Sequence, residues 1–157
     1  MTITLQINGV QRDIVAAPGE TLLEALRREG FMGVKCGCAS GDCGACAVLL
    51  DGRAVNSCLV LMSKCEGAEV LTVEGLSDGE DLHPVQTAFL EEGAVQCGYC
   101  TPGMLMSAID LLTRNPDPTE EEIRIAISGN LCRCTGYVKQ VAAIHKAAER
   151  MRGDGHE

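Results

Sequence analysis

The sequence predicts an α+β chain in two parts, a strand-rich half followed by a helical half. Three observations carry that prediction. Up to about residue 73 the apolar residues fall in short runs separated by strong turn dipeptides. Glu74-Gly75-Leu76-Ser77-Asp78-Gly79-Glu80-Asp81 then interrupts with polar and glycine residues. Beyond it the apolar spacing is that of helices. At 157 residues the chain suits one average domain or two small ones.

Each element has its own signal. Residues 2–7 alternate in the strand period, Asn8-Gly9 is a hairpin dipeptide, and residues 10–15 return. Pro18-Gly19 ends that hairpin. Thr21 stands three residues before Glu24, the capping-box spacing, and opens a helix with Leu22, Leu23, Ala25 and Leu26 as its apolar side. Gly30 supplies the stop. A second hairpin runs from residues 47–50 through Asp51-Gly52 to residues 54–55, and residues 70–73 read as a last strand. After the break, Pro84 starts a helix over 84–90, closed by Gly93. Residues 102–114 form another, with Met104, Leu105, Ala108, Ile109 and Leu112 on one face. Asn115-Pro116-Asp117-Pro118 stops it. Thr119 and Glu122 make a second capping box before Ile123, Ile125, Ala126 and Ile127. A final helix over 138–151 carries Val141, Ala142, Ile144 and Ala148. Four short helices share a core by packing as a bundle. A polar tail at 153–157 is expected to fray.

Composition narrows the function. A net charge of −9 argues against nucleic acid, which asks for clustered Lys and Arg, and suits a basic partner face. The N-terminus has no basic region followed by an apolar one, and no apolar run approaches a membrane span. A cytoplasmic protein is therefore expected. In that compartment ten cysteines read as metal ligands rather than disulfides. With no Trp, the core must be aliphatic.

Eight of those cysteines form two groups. Cys38, Cys43, Cys46 and Cys58 read C-x4-C-x2-C-x11-C, the plant-type spacing for a [2Fe–2S] cluster, with a structural zinc site or buried free cysteines as the alternative. The glycines around them allow close backbone approach, and loop N–H groups aimed at sulfur stabilise the reduced state. Cys97 and Cys100 form C-x2-C, and Cys132 and Cys134 form C-x-C about thirty residues on. For this second group, spacing leaves zinc and an iron–sulfur cluster both open. Each pair lies beside a helix start, whose dipole suits an anionic centre of either kind.

Three longer motifs carry a resemblance. They are Lys35-x-Gly37-Cys38-x2-Gly41-x-Cys43-Gly44-Ala45-Cys46, Gln96-Cys97-Gly98-Tyr99-Cys100-Thr101-Pro102-Gly103, and Gly129-Asn130-Leu131-Cys132-Arg133-Cys134-Thr135-Gly136-Tyr137. In this order they resemble the iron–sulfur part of the molybdenum hydroxylases, the family of xanthine dehydrogenase, aldehyde oxidoreductase and carbon monoxide dehydrogenase. The likeness spans residues 2 to 150. It is greatest to the separate iron–sulfur subunits of bacterial xanthine dehydrogenases, with enzymes for nicotinate and other N-heterocycles close by.

The resemblance implies a β-grasp ferredoxin-like domain over residues 1–76 and a four-helix domain over 77–157, each holding a [2Fe–2S] cluster. Cys97, Cys100, Cys132 and Cys134 would ligate the cluster nearer molybdopterin. Cys38, Cys43, Cys46 and Cys58 would ligate the one that passes electrons to FAD. Gln96 matches a glutamine that hydrogen-bonds the pterin in relatives. Molybdopterin and FAD are expected on a large and a medium partner subunit, because no Walker or dinucleotide-binding loop occurs here. The implied role is electron relay in a hydroxylase of purines such as xanthine or hypoxanthine. Nicotinate, another N-heterocycle, an aldehyde or carbon monoxide is the alternative substrate.

The remaining candidates read as structural. Cys36 sits where relatives need no cysteine, and using it in place of Cys38 would give C-x6-C. It and Cys65 are taken as small apolar side chains without iron. His83, His145 and His156 are expected at the surface. Arg133 stands between two ligands and could steady charge there or simply face solvent. Glu120-Glu121-Glu122 suits the first turn of a helix.

Overall fold

The computed structural model describes residues 1–153 except 78 and 80. The expected fraying of the tail and the place of His156 lie outside these residues. Five strands form one mixed sheet: β1 (Thr2–Ile7), β2 (Val10–Val15), β3 (Ala47–Leu50), β4 (Arg53–Asn56) and β5 (Glu69–Leu71), in the order β2-β1-β5-β3-β4. The outer pairs β1–β2 and β3–β4 are antiparallel hairpins, and β5 joins them, parallel to β1 and antiparallel to β3. Both hairpins turn on the dipeptides anticipated from sequence. Asn8, Gly9, Asp51 and Gly52 all have positive φ, as type I′ turns require.

Helix α1 (Leu22–Arg28) opens on the Thr21–Glu24 capping box, both reciprocal hydrogen bonds being present. Its exit is a Schellman pair, Gly30 N–H to Arg27 O and Phe31 N–H to Leu26 O. Leu22, Leu23, Ala25 and Leu26 are buried against Ile3, Leu5, Ile7, Ile14, Val48 and Val70, which cover one face of the sheet.

The helical half contains α2 (Pro84–Glu91), α3 (Thr101–Arg114), α4 (Glu120–Ala126) and α5 (Val138–Arg152). α5 packs on α2 and α4, and α3 packs on α2 and α4. α3 also lies on the sheet's second face, so Ala47 and Leu49 of β3 belong to the same core as Met104, Leu105 and Ile109. A helix covered from both sides is buried almost all round, and Met106, Asp110 and Leu111 join the expected apolar face.

Four expectations change. The last strand ends at Leu71; Val73–Gly75 is a short 3-10 turn, held by Gly75 N–H to Thr72 O. Ile125 is 64% exposed, because in a helix of two turns the inward stripe is Ile123 and Ile127, four residues apart. On α5 the buried residue is Ala143 rather than Ala142. His83 is not a free surface side chain either. It is the N-cap of α2, half-buried, with Nδ1 accepting from Val85 N–H.

Candidate iron–sulfur site

The loop after α1 carries Cys38 at its exposed tip and returns through Cys43 to Cys46, buried where β3 begins. Cys58 follows β4 in a 3-10 turn, Ser57–Leu59. Ser57 fastens that turn to the loop, its N–H and Oγ both donating to Cys46 O, at 3.4 and 2.7 Å. Asn56 Nδ2 adds a bond to Gly41 O at 2.9 Å. The loop's glycines leave no room for side chains: a Cβ on Gly37 would stand 2.7 Å from Cys43 Sγ.

Cys97 and Cys100 lie between α2 and α3, and α3 starts directly after Cys100. Cys132 and Cys134 lie between α4 and α5. The two segments are tied by Gln96 Nε2, which donates to Cys134 O at 3.2 Å, and Cys132 N–H donates to Tyr137 Oη at 2.7 Å.

All ten cysteines are free thiols. Within each group the thiols interact, Cys38 with Cys43, Cys46 with Cys58, Cys97 with Cys134 and Cys100 with Cys132, and charge also links Cys58 to Cys38, Cys100 to Cys97 and Cys134 to Cys132. Among the described residues no three His, Cys, Asp or Glu side chains gather round one ion-sized point. Charge is managed differently across each set. Hydrogen bonds from Ser40 and then Cys43 bring the Cys38 thiol down to about 6. Burial, and then the Cys46 thiol alongside, push Cys58 up to about 11. Burial and the Cys132 thiol push Cys100 up to about 12. Four thiolates this crowded repel one another until cations join them.

The two groups adjoin across the seam between the halves. Leu131 N–H donates to Cys43 O at 2.9 Å, and Asn130, buried, donates from Nδ2 to Gly44 O at 3.0 Å. Tyr99 Oη donates to Cys36 O at 2.7 Å. Spacing alone concealed these contacts. Tyr99 and Thr135 stood within the quoted motifs without a role of their own, and Gln140, which also holds the loops, was not named in the sequence reading. The one visible sign was a Gln on the apolar stripe of α5.

Of the other candidates, Cys65 is fully buried, and burial raises its thiol pKa. Cys36 and Arg133 are exposed. His145 is exposed beside Glu149, and Glu120 to Glu122 form the first turn of α4. Among the described residues, no helix is long and apolar enough to cross a membrane.

A sheet half and a helical half, each carrying one of the two groups of four cysteines, define a protein of two cluster-binding parts. Residues 5–77 match the model of a 2Fe-2S iron-sulfur cluster binding domain, and residues 72–145 that of a [2Fe-2S] binding domain. The small FeS subunit of nicotinate dehydrogenase from Eubacterium barkeri is 50% identical over 96% of each chain. The xanthine dehydrogenase iron-sulfur-binding subunit of Escherichia coli O157:H7 is 49% identical over 87% of each. Among solved structures, quinoline 2-oxidoreductase from Pseudomonas putida 86 superposes with a TM-score of 0.94 at 46% identity, over 98% of this chain and 96% of that one. Aldehyde oxidoreductase from Desulfovibrio gigas gives 0.95 at 39% identity, where 99% of this chain matches 18% of that longer one. The chain belongs to the small two-[2Fe–2S] electron-transfer subunits of the molybdenum hydroxylases, oxidoreductases whose partner parts carry molybdopterin and FAD.

Proposed function

We infer that Cys38, Cys43, Cys46 and Cys58 hold one cluster, that Cys97, Cys100, Cys132 and Cys134 hold the other, and that the chain relays electrons from molybdopterin on a large subunit to FAD on a medium subunit. The match of each half to a [2Fe–2S] binding domain model, each spanning one group of four cysteines, supports this reading over a zinc site. The donor chemistry fits: eight soft sulfurs, two of them helix-flanking, in loops that exclude bulk. Each [2Fe–2S] group supplies one-electron carriage.

The chain's residues do the rest. Residues 1–76, a β-grasp unit, and 77–157, a four-helix unit, hold the two sets. Ser40 and Cys43 N–H groups donate to Cys38 Sγ, both at 3.4 Å, which favours its charged form. The seam bonds through Leu131, Asn130 and Tyr99 fix one loop against the other. Gln96, exposed and bonded to Cys134 O, would contact the pterin in this reading.

The substrate class we favour is an N-heterocycle, a purine such as xanthine or hypoxanthine first. Nicotinate is the second reading, favoured by the relative from Eubacterium barkeri. Purification of the complex tests both levels. Iron and acid-labile sulfide in equal amounts, two distinct paramagnetic signals after dithionite, and co-purifying molybdenum and flavin chains are expected. Zinc in place of iron would end the relay reading. Turnover of nicotinate but not of xanthine would overturn the purine assignment alone.

A further inference from the structure

α5 carries one polar side chain that its packing does not call for. Gln140 is fully buried on the stripe shared with Ile144 and Ala147, where an apolar residue would fill the core. Its Nε2 donates to Ala94 O at 3.0 Å and to Thr135 Oγ1 at 2.5 Å. A backbone carbonyl only accepts, so Ala94 fixes which end of the amide faces it. Oε1 is then left buried with no hydrogen-bond partner among the described residues. An amide orphaned at one end is costly, and such groups mark places where polarity serves something other than packing.

What it serves is legible at Thr135. Oγ1 accepts from Gln140 Nε2 and from Tyr137 N–H, the latter at 3.5 Å. With both lone pairs engaged, the hydroxyl has only its hydrogen left to give. Cys132 Sγ lies 3.0 Å away.

We propose that Gln140 is a positioning residue for the second cluster, turning the Thr135 hydroxyl so that it donates to Cys132 Sγ and raises that cluster's reduction potential. This rests on the assignment of Cys132 as an iron ligand. A hydrogen bond to a ligand sulfur stabilises the more negative, reduced state, so it moves the potential upward. No covalent bond changes, and the proton stays on Oγ1 in either charge state. Thr135 acts at the sulfur; Gln140 acts through Thr135.

The test is a redox titration of the full iron–sulfur-loaded chain in its complex, followed by electron paramagnetic resonance. Thr135→Val lowers the midpoint of one cluster and leaves the other in place, while Thr135→Ser keeps the wild-type value. Gln140→Leu shifts the same midpoint in the same direction by less. If Thr135→Val fails to take up iron, Gln140→Leu decides. A wild-type midpoint in either Thr135→Val or Gln140→Leu would overturn the proposal, as would a Thr135→Ser shift equal to that of Val. Cys132→Ser separates the two levels. Loss or alteration of one signal upholds the ligand, so unchanged midpoints then count against the tuning alone; two intact signals would remove the ligand assignment beneath it.

Discussion

Cys36 and Cys38 stand two residues apart in one loop, yet the backbone treats them differently. Two N–H groups point at Cys38 Sγ, while Cys36 offers only its carbonyl, to Tyr99. Replacing Cys38 by Ser should therefore remove one of the two reduced-state signals, and Cys36→Ser should keep both; retention of both in Cys38→Ser would break the ligand assignment. His83 makes a different kind of prediction. Burial lowers its pKa from the ordinary 6.5, so below that pH the unfolded chain binds more protons than the folded one. Stability should fall as pH drops below 6.5, because the cap needs a neutral Nδ1 to accept from Val85 N–H. Thermal melts across that window should show the loss in wild type and flatten in His83→Asn, which caps without titrating. At this scale the cysteine ligand candidates could be read directly, since spacing is written in sequence. Gln140 could not, since its partner Ala94, forty-six residues away, is set by how α5 docks.

At the scale of elements, α1 and α4 share one design of unequal consequence. Each opens on a Thr–Glu capping box, and each is two turns long. Helices this short are marginal alone and depend on caps and packing. Thr21→Ala and Thr119→Ala should each cost about 1 kcal/mol, read as a lower urea midpoint at unchanged slope. The Thr119 change should also loosen the segment leading to Cys132, since α4 itself buries Ile123, with Ala126 partly buried against the same core and Ile127 at its cap. Hydrogen exchange at residues 128–132 checks this. Turn dipeptides and caps made these boundaries visible in advance because they are local chemistry. The end of β5 was hidden because Val73 is as apolar as Val70; Thr72 N–H goes to the Asn8 side chain at 2.8 Å, and Thr72 Oγ1 donates to Glu74 at 2.7 Å, where the ladder stops.

At the scale of the whole molecule, residues 47–50 read from sequence as one arm of a hairpin, with no sign that α3 would cover its second face. The halves meet there at backbone distance. A Cβ on Gly103, at the start of α3, would fall 2.2 Å from Gly44 O, and one on Gly44 would fall 2.2 Å from Gly129 O. Neither neighbour is a flexible side chain, so the clash must be relieved by moving one half against the other. Gly103→Ala should cost about 1–3 kcal/mol as overpacking does. Because Gly44 lies between Cys43 and Cys46, and Gly103 follows Cys100, both cluster signals should change together. Gly129→Ala is the control, its Cβ meeting nothing within 4 Å. Denaturant melts and reduced-state spectra of the two variants decide it. A Gly103→Ala chain with wild-type stability and two unaltered signals would mean that the seam carries no strain between the sites; a change confined to one signal would mean that the loops respond independently, and that their nearness does not couple them.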